Sequence, residues 1–382
     1  MRPIPYGRQQ ILEEDIEAVV NVLRSDYLTQ GPKVQEFEEA FAAYIGCRYA
    51  VAVANGTAAL HLSTLALGVE KNARVLTTPI TFSASSNCVL YCGGTPEFVD
   101  IDSRTFTIDL DLVEKKLSES SDNYYQGIIP IDFAGMPVDL ERLKQIAQKY
   151  NLWILEDACH APGAHFDTKT GARHYCGDGS LADLAIFSFH PVKHIATGEG
   201  GMITTNSEQL YEKLKVLRTH GITKDPLRME KNDGGWYYEM VELGFNYRLS
   251  DIQSALGISQ LRRATSNLEL RRTLAARYNK AFEDLPLTVQ FQGEGHAYHL
   301  YVILVDRRKE LYELLKSKGI FSQVHYIPVH LLPFYQKMGW KLGDFPKAEY
   351  YYERCLSLPL FPQLSFSEQD LVIECVRSHY DS

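Results

Sequence analysis

Apolar residues recur at helical spacing at Ile11, Leu12, Ile16, Val19 and Leu23, and again past Gly31-Pro32 at Val34, Phe37, Phe41 and Tyr44. Two amphipathic helices are therefore predicted to open the chain. Behind them, β-rich runs at residues 49–53, 74–78, 97–101, 127–132, 152–157, 183–189 and 202–205 alternate with helical stretches. That alternation predicts a layered α/β domain. Runs such as Leu152-Trp153-Ile154-Leu155 are apolar on both faces, which suits a mostly parallel sheet covered on both sides by helices. Ligands of such sheets sit beyond the carboxyl ends of the strands. After about Ser207 the pattern changes to helices at 249–261 and 268–282, a strand at 301–305 and a helix at 309–318. Residues 223–244 read as a long loop. The expected division is residues 1–260, an N-terminal arm with a large domain, and residues 261–382, a smaller C-terminal domain.

Length and composition support two domains: 382 residues with 45% hydrophobic and 23% charged positions exceed what one core serves efficiently. The formal charge of −9 has the wrong sign for a surface that collects phosphates along a nucleic acid, so no nucleic-acid partner is expected. Seven scattered cysteines include no Cys-x-x-Cys pair. A reducing, cytoplasmic setting is expected. No run approaches the roughly 18 apolar residues that span a bilayer, and Pro3 to Arg8 carry no apolar signal core; no membrane association is expected. His190 and His194 lie four apart with a proline between them and no third ligand nearby, so no metal site is expected.

Four features fall where a parallel sheet presents its ligand. Asn55-Gly56-Thr57-Ala58-Ala59-Leu60 joins a predicted strand to a predicted helix, where free amides and the helix dipole can seat a phosphate; it also reads as an ordinary strand-to-helix turn. Glu156-Asp157-Ala158-Cys159-His160-Ala161 ends the most apolar strand, a costly place for an idle charge, although Asp157 there can simply cap the next helix. Ser188-Phe189-His190-Pro191-Val192-Lys193 runs toward the glycine-rich Gly198-Glu199-Gly200-Gly201. A lysine held between a strand end and such a turn can be desolvated into a usable nucleophile, which most lysines are not. Gly244-Phe245-Asn246-Tyr247-Arg248 brings an amide, a phenol and a guanidinium before a long helix, for an anion or for another subunit.

The order of these motifs, together with Thr77-Thr78-Pro79-Ile80-Thr81-Phe82, resembles the sugar-nucleotide aminotransferases of the DegT type. These are pyridoxal-phosphate enzymes of the aspartate-aminotransferase fold (fold type I), with a mostly parallel mixed sheet sandwiched by helices and a smaller α+β domain. The resemblance runs from Tyr6 to about Gln260 and more weakly beyond. It implies that Lys193 carries pyridoxal 5'-phosphate covalently and shuttles protons, and that Asp157 pairs with the pyridine nitrogen. It further implies that Phe82 stacks on the ring with His160 close by. Gly56, Thr57, Ser188 and Asn246 of the partner subunit would hold the phosphate, so a homodimer with shared active sites is implied. Because Lys193 is retained, where dehydratases of the family carry histidine, the implied chemistry is amino transfer. An amine from L-glutamate would rest on the cofactor as pyridoxamine 5'-phosphate and pass to a sugar ketone.

Within the family, Ile4-Pro5-Tyr6-Gly7-Arg8-Gln9, Ser25-Asp26-Tyr27-Leu28-Thr29-Gln30-Gly31-Pro32 and His220-Gly221-Ile222-Thr223-Lys224-Asp225-Pro226 resemble the altrosamine transaminases of pseudaminic acid biosynthesis. One departure is Ala54-Asn55-Gly56-Thr57, where many of that subgroup carry Asn-Ser-Ala-Thr. The implied substrate is a UDP-linked 4-keto-6-deoxy sugar of L-arabino configuration, aminated at C4. Tyr6, Thr29, Gln30, Arg248, His325 and His330 are the candidate substrate contacts; the two histidines also read as surface or internally satisfied side chains. A different UDP- or dTDP-linked 4-keto sugar, or a binding protein that keeps the fold without turnover, are the competing readings.

Overall fold

The computed structural model describes residues 3–380; Met1, Arg2, Asp381 and Ser382, at the outer ends of the two predicted domains, lie outside the described residues. Ten strands precede residue 206: β1 (Ile4–Pro5), β2 (Tyr49–Val53), β3 (Arg74–Thr77), β4 (Thr95–Phe98), β5 (Gly127–Ile128), β6 (Trp153–Asp157), β7 (His165–Asp167), β8 (Arg173–Tyr175), β9 (Leu184–Ser188) and β10 (Gly201–Thr205). Seven form the central sheet in the order β2-β10-β9-β6-β5-β3-β4. Every pairing is parallel except those of β10, which runs antiparallel to both neighbours. The connection from β9 to β10 contains no crossover helix, and β10 comes straight back beside β9. β7 and β8 form a separate antiparallel hairpin.

Among the described residues, the α-helices up to residue 281 are α1 (Glu13–Leu23), α2 (Pro32–Ile45), α3 (Gly56–Ala66), α4 (Ala84–Tyr91), α5 (Leu110–Ser118) and α6 (Leu140–Tyr150), followed after β10 by α7 (Glu208–Arg218), α8 (Asp251–Leu261) and α9 (Ala264–Ala281). α2 starts with Pro32 in its first turn and ends at Gly46 with φ of 87°, the proline-in, glycine-out asymmetry of a well-delimited helix. Its buried Phe37 and Phe41 meet Phe187 and Phe189 of the sheet. A second cluster, with Val51, Leu62, Val75, Ile129 and Leu155, fills the other face. Gly127 in β5 is required by close approach: a β-carbon there would lie 2.1 Å from the Trp153 ring. Gly127→Ala is expected to cost about 1–3 kcal/mol, seen as a lower urea midpoint with an unchanged slope.

The stretch read as a long loop contains a two-residue hairpin, β11 (Ile222–Thr223) with β12 (Glu239–Met240). Beyond α9 come β13 (Thr288–Val289), β14 (Tyr301–Leu304), α10 (Arg308–Ser317), β15 (Ile320–Phe321), α11 (Pro333–Gln336), α12 (Pro346–Arg354), β16 (Cys355–Leu358) and α13 (Phe366–Ser378). β13, β14 and β16 make a small antiparallel sheet. β1 pairs in parallel with β15, and Ile4 is buried among C-terminal apolar residues. The opening strand thus packs with the C-terminal region rather than with the large sheet. Between the two regions, the fully buried Arg271 donates to the carbonyls of Tyr298, His299 and Leu360, fixing the segment that carries His299.

Candidate active site

Lys193 lies in the loop joining β9 to β10. Phe189 N–H donates to the Gly200 carbonyl, Thr197 N–H to the Phe189 carbonyl, and Lys193 N–H to the His190 carbonyl. Phe189 is itself sunk between Phe37 and Phe41. The loop is therefore held by its backbone and by an aromatic anchor, while among the described residues the Lys193 ammonium has neither a hydrogen bond nor an ion pair. Burial lowers the pKa of this amine below the ordinary lysine value, with Cys159 and Asp157 opposing. It lines a cavity of about 470 Å³.

Asp157 ends β6 on the same cavity. It is buried, and its Oδ2 accepts from Ser85 Oγ at 2.7 Å while Oδ1 accepts from the Cys159 N–H at 3.2 Å. Ser85 is held in turn by Thr81 Oγ1 at 2.8 Å. The carboxylate is thus aimed by neighbours and, among the described residues, forms no ion pair; Lys193 acts on it only from across the cavity. It can take a cationic or N–H-bearing group from the cavity.

The third wall is the start of α3. Asn55 caps it, its Oδ1 accepting from the Ala58 N–H, and the N–H groups of Gly56 and Thr57 have no partner among the described residues. Both residues line the cavity, as does Ser188. A β-carbon on Gly56 would stand 3.0 Å from that of Ser188, so glycine lets the helix start close on the strand end. Two free amides, a hydroxyl and the positive end of an 11-residue helix make a seat for a phosphate.

Across the cavity, His160 accepts the Ala134 N–H at Nδ1 and faces Tyr326 Oη from Nε2 at 3.2 Å. The first bond requires an unprotonated Nδ1, so the proton is on Nε2 and is donated to Tyr326. Burial and the nearby Lys193 push its pKa well down, which keeps the ring neutral. Phe82 stays 62% exposed, with its ring 6.3 Å from that of Tyr326. Tyr6 packs 5.0 Å from His325, whose Nδ1 meets Ser357 Oγ. Burial pushes His325 down to about 3, so it too is neutral.

Lys193, Asp157, Gly56, Thr57, Phe82, His160, Ser188, Tyr6 and His325 are brought together around this one cavity. Five expected residues are not. Gln30 and Arg248 line a separate cavity of about 360 Å³, and Thr29 is bridged to Ser250. Asn246, exposed and bridged to Thr219, is outside the lining of its own chain's cavity. His330 is fully buried, bonded to Glu349 at 2.9 Å and packed on Phe345; a side chain enclosed in that way does not border the cleft. Sequence reasoning missed Ser85, Tyr326 and His299, which also line the cavity. Ser85 lies in the first turn of α4, directly after the motif at residues 77–82, and that adjacency is the signal that could have found it; no sequence signal distinguishes His299.

Residues 9–377 match the DegT/DnrJ/EryC1/StrS aminotransferase family. The chain is 40% identical to the spore coat polysaccharide biosynthesis protein SpsC of Bacillus subtilis, over 98% of this chain and 96% of that protein. It is 39% identical to the UDP-4-amino-4,6-dideoxy-N-acetyl-beta-L-altrosamine transaminase of Campylobacter jejuni, over 97% and 95%. The putative sugar aminotransferase Spr1654 of Streptococcus pneumoniae, solved in PLP and PMP forms, superposes with a TM-score of 0.90 at 31% identity over 99% of both chains. The chain therefore belongs to the DegT/DnrJ/EryC1/StrS aminotransferases, and its cofactor is pyridoxal phosphate.

Proposed function

We propose that this enzyme transfers an amino group from L-glutamate to C4 of UDP-2-acetamido-2,6-dideoxy-β-L-arabino-hexos-4-ulose, giving UDP-4-amino-4,6-dideoxy-N-acetyl-β-L-altrosamine. The observation that carries the chemistry is the meeting of Lys193, Asp157 and the unpartnered start of α3 in one cavity. The substrate reading is supported by the likeness to the Campylobacter enzyme along nearly the whole chain.

The donor set fits pyridoxal phosphate. Gly56, Thr57 and Ser188, with Asn246 of the partner subunit, would hold the phosphate; Phe82 would cover the ring and His160 would flank it. Asp157 would keep the pyridine nitrogen protonated, the role its aimed and unpaired carboxylate suits. When bound, the cofactor supplies the electron sink for the carbon that gives up its proton. Lys193 then carries that proton: its amine is desolvated, has no competing partner, and is held on a braced loop. Its lowered pKa has a measurable consequence. The neutral amine is the nucleophile that captures the cofactor, so the rate of reconstitution should rise with pH and level off at a midpoint below that of an ordinary lysine. Stopped-flow absorbance of the cofactor-free protein checks this.

The equal likeness to SpsC favours, as a second reading, C4 amination of another UDP- or dTDP-linked 4-keto-6-deoxy sugar. Supplying glutamate with either the L-arabino or the D-xylo UDP-4-keto sugar, and following the aminated product by mass spectrometry, separates the two. A higher kcat/KM for the L-arabino ketone upholds the first, and preference for another ketone transfers the enzyme to a different pathway. We further propose a cytoplasmic homodimer with shared sites; the exposed Asn246 beyond its own cavity is the residue such sharing would use. No helix among the described residues is long and apolar enough to cross a membrane.

A further inference from the structure

Side chains alternate along a strand, so Glu156 leaves β6 on the face opposite Asp157. There it meets Asp132, which follows β5 and is tied to the same strand: the Asp132 N–H donates to the Asp157 carbonyl at 3.1 Å. Both carboxylates are buried. Each has one oxygen satisfied by the backbone, Asp132 Oδ1 by the Val138 N–H and Glu156 Oε2 by the Gly177 N–H, each at 2.9 Å. The other oxygens, Asp132 Oδ2 and Glu156 Oε1, have no donor. One oxygen of each residue and Cys176 Sγ lie within 4.8 Å of one another. The titratable groups facing the pair, Cys176 and Asp178 beside the β7–β8 hairpin and Asp157 on β6, are all acids.

Two bare carboxylates enclosed in this way would repel each other, with two acceptors facing and only the weak Cys176 thiol near enough to donate. A single proton between them supplies the missing donor and removes one charge. We propose that Asp132 and Glu156 share one proton at neutral pH and act as a positioning pair for Asp157, laying one fixed negative charge behind the carboxylate that holds the protonated pyridine nitrogen. Burial raises the pKa of both acids, as a retained proton requires. The charge count is what makes the arrangement useful. Two charges would repel each other behind β6 with no cation to offset them, while none would leave Asp157 to hold the cationic nitrogen unaided. The inference rests on the role proposed above for Asp157, and its test separates the two.

Infrared spectroscopy of the unmutated, cofactor-free protein should show a carboxylic-acid carbonyl band at neutral pH that Glu156→Gln removes; this measurement makes no reference to Asp157. In the reconstituted enzyme, the double variant D132N/E156Q keeps the shape and removes the charge. The midpoint of the cofactor's pH-dependent absorbance change should then fall by about one pH unit, and kcat by about tenfold at unchanged KM. E156Q alone leaves the charge on Asp132 and should return the midpoint to that of the unmutated enzyme. Absence of the carbonyl band overturns the shared proton, as does a stoichiometric metal ion in the purified protein. An unchanged midpoint in the double variant, with the band present, overturns the positioning role. If the double variant fails to fold, the midpoint of D132N alone, in which Glu156 can take up the charge, replaces it: a fall in that midpoint overturns the proposal and a preserved one supports it. A D157N enzyme titrating like the unmutated one would instead remove the role of Asp157, and the positioning role with it, while the band still reported the proton.

Discussion

Lys193→Ala is expected to lower kcat by about 10⁴-fold or more while leaving the fold intact. The two halves of that expectation have separate causes. Catalytically, the amine is the group placed to bind the cofactor and to carry the proton, and its neighbours His160 and His325 are neutral rings already committed to Ala134, Tyr326 and Ser357. Water in a 470 Å³ cavity is a poor replacement, being neither a strong base nor fixed in place. Structurally, the loop around position 193 is braced through Phe189, Thr197 and Gly200, and the ammonium contributes no bond to it. Thermal unfolding should therefore stay within about two degrees of the unmutated protein. Single-turnover kinetics with glutamate reads the catalytic half, and a rate within tenfold of the unmutated enzyme would refute the assignment.

Asp157→Asn should cost about 10³-fold in kcat with little effect on KM for the ketone. An amide has the same size, and its oxygen can accept from the Cys159 N–H while its NH2 donates to Ser85 Oγ, which turns from donor to acceptor, so the pocket keeps its shape. It lacks the negative charge that holds a proton on the pyridine nitrogen, and without that proton the ring is a weaker electron sink. The loss should therefore fall on the chemical step. A loss confined to KM would mean that position 157 only binds.

The strands of the central sheet were legible as β-rich runs because most are short, rich in apolar residues and separated from the next by a polar or helical stretch; β4, with only Phe98 and Pro96 apolar among its four residues, was read two residues late, at 97–101. Their order and the reversal at β10 were not, since pairing is decided by neighbours that the one-dimensional pattern does not name. The site divided in the same way. Gly56, Asp157, Ser188 and Lys193 could be found because each lies at a strand end or in the turn after it, where the sheet dictates the position. Ser85, His299 and Tyr326 reach the cavity from a helix and from distant loops. His330 went the other way: it sits in the apolar run Ile327-Pro328-Val329-His330-Leu331-Leu332, which is compatible with burial, but the partners that enclose it, Glu349 and Phe345, come from a later segment that the local pattern does not name. The long 223–244 stretch concealed a hairpin because two-residue strands are below the length at which alternation can be read.

The pairing of Ile4 with Ile320 also bears on how the molecule comes into being. Closing the loop between residues 4 and 320 is entropically demanding, and what holds it is two residues of parallel strand, the buried Ile4 and, just beyond, the Tyr6 carbonyl accepting from the Leu360 N–H. It should therefore form after both the large sheet and the C-terminal region have taken shape. Tyr6 follows directly and lines the cavity, so the pocket gains its last wall at the end of folding. During synthesis Tyr6 must wait for β15 to emerge, and a chain made only as far as the large sheet has no complete pocket in which to retain its cofactor.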